Sequence, residues 1–121
     1  MTHAEYNGPG DAWTPEHLLL AAVQSCFLFT LRAVARASRL EFVSLVVEAA
    51  GTVDRRNGVT SFTEIVLHIR LTVPASADSE RAVRVLDQTK HACLVSNSLS
   101  TPIWVEAEIV AEAPEPASVA Q

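Results

Sequence analysis

Residues 14–29, which read TPEHLLLAAVQSCFLF, decide how the rest of the chain is interpreted. Thr14 is a good N-cap, Pro15 suits the first helical position, and the carboxylate of Glu16 suits the first turn of a helix. We expect this helix to continue to about Ser38. Its first half is apolar on nearly all sides, which predicts burial on most of its surface. A single sheet covers only one side of a helix, so we expect this one to lie in the interface of a two-fold homodimer.

The rest of the chain predicts an α+β protein. Apolar residues alternate with period two in two stretches, and Asn57-Gly58 between them supplies the positive φ values of a hairpin turn. The expected elements after the first helix are strands at 43–53 and 64–73, a helix at 78–90, a short helical turn after Cys93 and a strand at 104–110. This order predicts an antiparallel sheet packed against the long central helix and the second helix.

Length and composition limit the classes of protein to consider. With 121 residues, we expect a single domain over 1–121, with an irregular arm at 1–13 and a disordered tail at 111–121. The formal net charge is −5 and no basic stripe is visible, which argues against a nucleic-acid partner. The N-terminus has no secretory pattern, and the apolar stretch 18–23 is too short to span a bilayer. We therefore expect a cytoplasmic protein that does not bind membranes.

The chain has two cysteines, Cys26 in the first helix and Cys93 where the second helix ends. A permanent structural disulfide is improbable in the cytoplasm, so each thiol is either an inert packing residue or redox-active. If the fold brings the two together, they can cycle between dithiol and disulfide. Packing is the commoner role of a lone cysteine in an apolar helix, and position alone leaves both roles open.

The residues around the two cysteines resemble a known family. With their spacing, they are similar to the OsmC/Ohr proteins, which comprise the osmotically inducible and the organic hydroperoxide resistance proteins. The match extends from about Gly8 to Val110. The residues that carry it are Thr14, Pro15, Glu16, Leu18, Leu19, Ala21, Ala22 and Cys26, followed at long range by Cys93, Leu94, Val95, Ser96, Asn97 and Ser98.

This resemblance implies a thiol-dependent peroxidase that reduces organic or inorganic hydroperoxides. The resemblance implies that Cys26 is the peroxidatic cysteine and that Cys93 resolves its sulfenic acid to a disulfide. It also implies that a dithiol reductant restores both thiols, and in one branch of the family this reductant is a lipoyl group. It also implies an intertwined homodimer in which Glu16, as an acidic residue, holds a catalytic arginine. Ten residues separate Glu16 from Cys26, about 15 Å on a straight helix, so we expect Glu16 to act near the partner's cysteine.

The chain departs from the family in one respect, because no arginine precedes Arg32. Arg32 is a poor substitute, since it points to another side of the helix than Cys26. We therefore expect the pKa of Cys26 to be near that of an ordinary thiol and the peroxidase activity to be weak, while the start of a helical turn favours thiolate at Cys93. The alternative is a weak or inactive OsmC-like dimer that binds a small apolar ligand.

Neither histidine next to these motifs has metal-ligand spacing. His91 lies two residues before Cys93 and His17 follows Glu16, but no second pair of cysteine or histidine ligands accompanies them. We expect no metal and no cofactor. Both histidines are most simply read as helix-end residues, although His91 is close enough in sequence to influence Cys93.

Overall fold

The computed structural model describes residues 14–112. Its elements follow the expected order and confirm the α+β class. They are helix α1 (Pro15–Ala37), strands β1 (Ser44–Arg56) and β2 (Val59–Val73), helix α2 (Ser79–Ala92), the short helix α3 (Leu94–Asn97) and strand β3 (Ile103–Ala111). The expected arm 1–13 and the tail from residue 113 onward lie outside the described residues.

Helix α1 begins and ends where local chemistry predicts. The side chain of Thr14 accepts a hydrogen bond from the backbone N–H of His17 at 3.2 Å, and Pro15 occupies the first turn. At the other end, Arg39 adopts a positive φ of 57°, which stops the helix. The residues of α1 that are buried recur every three or four positions and face the sheet: Leu20, Val23, Phe27, Leu31 and Ala35.

The opposite side of α1 remains apolar and open. The side chains of Leu18 and Phe29 are 59% and 62% exposed. By length and composition the whole helix is long and apolar enough to cross a membrane, a test that the core helix of a soluble protein also passes. The expectation that its apolar part is too short therefore holds only for the stretch 18–23.

Strands β1 and β2 form the predicted hairpin. They pair antiparallel, and the turn residues Asn57 and Gly58 have φ values of 53° and 78°. Alternate residues of β2 point into the core, as the period-two pattern predicts. These core residues are Ile65, Leu67, Ile69, Leu71 and Val73.

The third strand corrects the expected sheet. Strand β3 pairs with β2 in parallel, with Ile103 beside Ile65 and Ala111 beside Val73, so the sheet is mixed and has the order β1-β2-β3. The reason is the connection: α2 and α3 carry the chain from the end of β2 back to its beginning. A strand that follows such a helical crossover runs parallel to the strand before it.

Strand β3 also runs further than expected. Ala111 is its last residue, and the backbone N–H of Glu112 donates to the carbonyl oxygen of Val73 at 2.8 Å. The expected tail therefore cannot begin at 111, because these two residues still follow the sheet. The sequence places no turn or proline between Val110 and Glu112 that would have stopped the strand.

Candidate redox-active thiol site

The fold brings the two thiols together. Helix α1 packs against α3, and the side chain of Cys93, which stands between α2 and α3, is one of the groups that lower the pKa of Cys26. The rotation of α1 on the sheet is held near this point by Gln24, whose Oε1 accepts the backbone N–H of Ala49 at 3.0 Å. Phe27, buried next to Cys26, anchors the same turn in the core. A half-buried Cys26 therefore faces the α2–α3 corner.

The environment of Cys26 favours its thiolate. Burial raises the pKa of Cys26, but four hydrogen bonds oppose this and lower the pKa below the ordinary value of a cysteine. In decreasing order they come from the backbone N–H of Val95, the thiol of Cys93, the hydroxyl of Thr30 and the backbone N–H of Leu94. The Thr30 hydroxyl lies 3.9 Å from Sγ of Cys26, one helical turn further along α1.

The environment of Cys93 favours its protonated form. Its side chain is completely buried, and this burial raises the pKa of Cys93 above that of an ordinary thiol. Hydrogen bonds from the hydroxyl and the backbone N–H of Ser96 lower it in part, while the neighbouring Cys26 raises it further. The Ser96 hydroxyl donates to Sγ of Cys93 at 3.2 Å. At a pH between the two pKa values, a thiolate at Cys26 lies beside a thiol at Cys93.

One expectation about thiol acidity is wrong: we expected a thiolate favoured at Cys93, but burial raises the pKa of this thiol. We expected the pKa of Cys26 to be near that of an ordinary thiol, and its hydrogen bonds lower it below the ordinary value. The first N–H groups of a helix have no intrahelical acceptor, and in α3 those of Leu94 and Val95 are directed at Cys26 rather than at Cys93. Within residues 14–112, no arginine or lysine contributes to lowering the pKa of Cys26. Among the described residues, the groups that lower the pKa of Cys26 are neutral hydrogen-bond donors.

Glu16 is not part of the thiol pair within one chain. It lies in the first turn of α1, and this helix is unbroken from Pro15 to Ala37. At 1.5 Å per residue, Glu16 is about 15 Å from Cys26 along the axis. The expected position of Glu16 near the partner's cysteine stays a prediction.

His91 takes the helix-end role that the sequence suggests. Nδ1 of His91 lies 2.9 Å from the carbonyl oxygen of Asp87, and the carbonyl oxygen of His91 accepts Nδ2–H of Asn97 at 2.8 Å. His91 is not among the groups that shift the pKa of Cys93. Within the described part of the chain, no group of three or more histidine, cysteine or acidic side chains is arranged to hold a metal ion.

Sequence reasoning missed Thr30, Ser96 and the backbone of Val95. A signal for the first two was present, because Thr30 follows Cys26 by four residues and Ser96 follows Cys93 by three. Residues at these spacings are neighbours on a helical turn. No sequence signal points to Val95, since its donor is a backbone N–H and its acceptor lies on another helix.

Comparison with known proteins identifies the family of the chain. The family model of OsmC-like proteins matches residues 8–108 of the chain. The uncharacterized protein YmaD of Bacillus subtilis is 26% identical over 107 residues, which cover 86% of this chain and 71% of the Bacillus protein.

Solved structures show the same fold. An OsmC-like protein of unknown function from Vibrio cholerae superposes with a TM-score of 0.70 at 23% identity, covering 78% of this chain and 63% of that protein. An organic hydroperoxide resistance protein from Elizabethkingia anophelis, solved with thiocyanate bound, superposes with a TM-score of 0.72 at 22% identity, covering 90% of this chain and 76% of that protein. This chain therefore spans less than two thirds of the Vibrio protein.

Proposed function

Because the chain belongs to the OsmC-like family, we propose that it is a thiol-dependent peroxidase that reduces organic or inorganic hydroperoxides with Cys26 and Cys93. One observation carries the proposal: the packing of α1 on α3 brings a partly exposed Cys26 next to a buried Cys93, and the two thiols shift each other's pKa in opposite directions. A peroxidatic cysteine needs a thiolate, and a resolving cysteine must stand next to it. The solved relative named as an organic hydroperoxide resistance protein points to the same chemistry.

In the first step, the thiolate of Cys26 attacks the terminal oxygen of the hydroperoxide. The S–O bond forms while the O–O bond breaks, the sulfur becomes a sulfenic acid, and the alkoxide that leaves takes a proton from solvent. Cys26 is the only one of the two sulfurs that is not completely buried. The donors of Val95 and Thr30 lower its pKa, which favours the thiolate form of the nucleophile.

In the second step, the sulfur of Cys93 attacks the sulfenic sulfur of Cys26. A disulfide forms and the sulfenic hydroxyl leaves as water with the thiol proton. The contact between the two side chains supports this step. A dithiol reductant, which the family suggests to be of the lipoyl type, then returns the two electrons by thiol–disulfide exchange.

The proposal includes a cytoplasmic homodimer with α1 in its interface. The support is the open apolar side of α1, where Leu18 and Phe29 are more than half exposed. A two-fold antiparallel arrangement of α1 would also bring Glu16 of each chain towards Cys26 of the other, since these residues are ten positions apart on one helix. Sedimentation at micromolar concentration tests this, and a monomer would contradict it.

The test of the function counts thiols. One equivalent of cumene hydroperoxide is added to the reduced protein, and free thiols are titrated before and after. We expect two thiols to be lost per chain. In Cys93→Ser, only Cys26 should react, and its sulfenic acid should be trapped by dimedone. Cys26→Ser should lose no thiol, although it retains the buried Cys93.

The matched control is Ser25→Ala, which changes an exposed residue beside Cys26 and should leave the reaction unchanged. If the wild-type protein keeps both thiols over hours while a slow alkylating reagent still modifies Cys26, the peroxidase proposal is wrong. That result would favour the inactive dimer that binds a small apolar ligand.

A further inference from the structure

We propose that the reductant attacks the Cys26–Cys93 disulfide at Sγ of Cys26, and that Ser96 is a positioning residue that stabilises the departing thiolate of Cys93. The inference rests on the proposed function only for the identity of the oxidised form. It adds the sulfur that is attacked, the sulfur that leaves, and a residue for the reductive half of the cycle.

Access distinguishes the two sulfurs. Cys26 is half-buried, and the neighbouring position Ser25 on α1 is exposed. Cys93 is completely buried in the corner between α2 and α3. Thiol–disulfide exchange requires the incoming thiolate to reach the sulfur that it attacks. An external reductant therefore reaches Sγ of Cys26 and not Sγ of Cys93.

A dithiol reductant reduces the disulfide in two exchange steps. A thiolate of the reductant forms a bond to Sγ of Cys26, the Cys26–Cys93 bond breaks, and its electron pair leaves on Sγ of Cys93. The second thiol of the reductant then attacks its own sulfur in the mixed disulfide. The reductant leaves as a cyclic disulfide, Cys26 leaves as a thiolate, and the thiolate of Cys93 takes a proton.

The loss of the Cys93 thiolate from the disulfide is harder than the later loss of the Cys26 thiolate from the mixed disulfide. A buried thiolate is unfavourable, and burial makes Cys93 the weaker acid of the pair, so it is the poorer leaving group. The Ser96 hydroxyl already donates to Sγ of Cys93 at 3.2 Å in the reduced protein. A hydrogen bond to a charged sulfur is stronger than one to a neutral sulfur, so this contact strengthens as charge develops on the leaving group.

Ser96 is well placed to act without rearrangement. It follows Cys93 by three residues, and α3, which begins at Leu94, holds the two side chains on one turn. Its backbone N–H also hydrogen-bonds the sulfur of Cys93. A substitution of the side chain removes the hydroxyl donor and leaves the backbone donor in place. The contribution of the hydroxyl can therefore be measured separately.

The site of attack is tested on the wild-type protein oxidised with diamide, which makes the disulfide without any peroxide. The oxidised protein is mixed with excess 2-mercaptoethanol, quenched with acid within seconds, alkylated and mapped by peptide mass spectrometry. We expect 2-mercaptoethanol on Cys26 and a free thiol on Cys93. The reverse pattern, with the adduct on Cys93 and Cys26 free, would overturn the inference.

The role of Ser96 is tested by the rate at which dihydrolipoamide reduces the diamide-oxidised protein. We expect Ser96→Ala to be about tenfold slower, which corresponds to about 1.4 kcal/mol in the barrier, and Ser96→Thr to recover most of the rate. The matched control is Ser98→Ala, because the Ser98 hydroxyl donates to the carbonyl oxygen of Leu94 at 2.9 Å and not to a sulfur. Equal rates for Ser96→Ala and Ser98→Ala would overturn the role of Ser96.

A second readout separates leaving-group stabilisation from a structural role. In the Cys26→Ser background, the absorbance of the Cys93 thiolate is titrated against pH with and without Ser96→Ala. We expect Ser96→Ala to raise the pKa of Cys93, because a donor to its thiolate is lost. An unchanged titration would contradict the inference. Neither readout uses a hydroperoxide, so failure of the proposed peroxidase and failure of this inference are distinguishable.

Discussion

The middle of α1 around Cys26 and the α2–α3 corner around Cys93 touch each other, yet they are built in different ways. Most of the donors to Cys26 come from residues distant in sequence, namely Cys93, Leu94 and Val95. The partners of Cys93 are local. Its backbone N–H donates to the carbonyl oxygen of Thr89, and its sulfur accepts a hydrogen bond from the hydroxyl of Ser96. Long-range hydrogen bonds thus lower the pKa of one thiol, while local burial raises the pKa of its neighbour.

The largest expected effect is a difference in reactivity between the two regions. With iodoacetamide at neutral pH, we expect Cys26 to be alkylated at least roughly tenfold faster than Cys93, because thiolate fraction changes about tenfold per pH unit and a buried sulfur excludes the reagent. As pH falls, alkylation of Cys26 should persist below the range of an ordinary cysteine, because its pKa is lowered. Mass spectrometry of the two peptides measures both rates.

The same pH profile of alkylation can contradict the difference between the environments of Cys26 and Cys93. If Cys26 titrates above an ordinary thiol, or if Cys93 is alkylated first in the folded protein, the two environments have been assigned wrongly. The unfolded protein in concentrated guanidinium chloride is the control, since both thiols should then react alike.

Removal of Cys93 should weaken the site at Cys26. Cys93→Ala deletes a donor to the Cys26 sulfur, so we expect the pKa of Cys26 to rise. The variant also leaves a small cavity, which should lower the free energy of unfolding by about 1 kcal/mol. Cys93→Ser keeps a hydroxyl donor and should raise the pKa less than Cys93→Ala. Equal pKa values in these two variants would show that the hydrogen bond from Cys93 is unimportant.

The stability of the α2–α3 corner should fall with a substitution that does not change the pKa of Cys26. The hydroxyl of Thr89 donates to the carbonyl oxygen of Val85 at 2.6 Å and is completely buried. We expect Thr89→Val to lower the free energy of unfolding by about 1 kcal/mol, since one buried hydrogen bond is lost, with no change in the pKa of Cys26. Denaturant unfolding measures the first and alkylation the second. Thr60→Val, on the exposed hairpin, is the matched control.

The smallest expected effect comes from Leu94→Pro. Leu94 is the first residue of α3, where proline is favoured, and Cys93 before it already has extended backbone at φ −70° and ψ 104°. The substitution therefore removes one backbone donor to Cys26 without breaking the helix. We expect a slight rise in the pKa of Cys26, because this donor is the weakest of the four. A large loss of stability would instead mean that the corner does not tolerate proline.

Much of the fold could be predicted because its signals are local. Thr14 and Pro15 mark the start of α1, Asn57 and Gly58 mark the hairpin, and both appear where the pattern places them. The direction of β3 was predicted wrongly, since a strand's own sequence has the same alternation in either direction. Only the crossover through α2 and α3 decides that it runs parallel to β2.

Some features of the candidate site could likewise be predicted from the sequence, and others depend on the tertiary structure. The sequence by itself determined that two cysteines sit at helical positions with family-like neighbours, and its helical spacing also held a signal for Thr30 and Ser96 that we missed. Only the tertiary structure decided that the free N–H groups of α3 are directed at Cys26 and that Cys93 is buried. The physical reason is that a pKa depends on burial and on donors within hydrogen-bond distance, and here those donors come from another part of the chain.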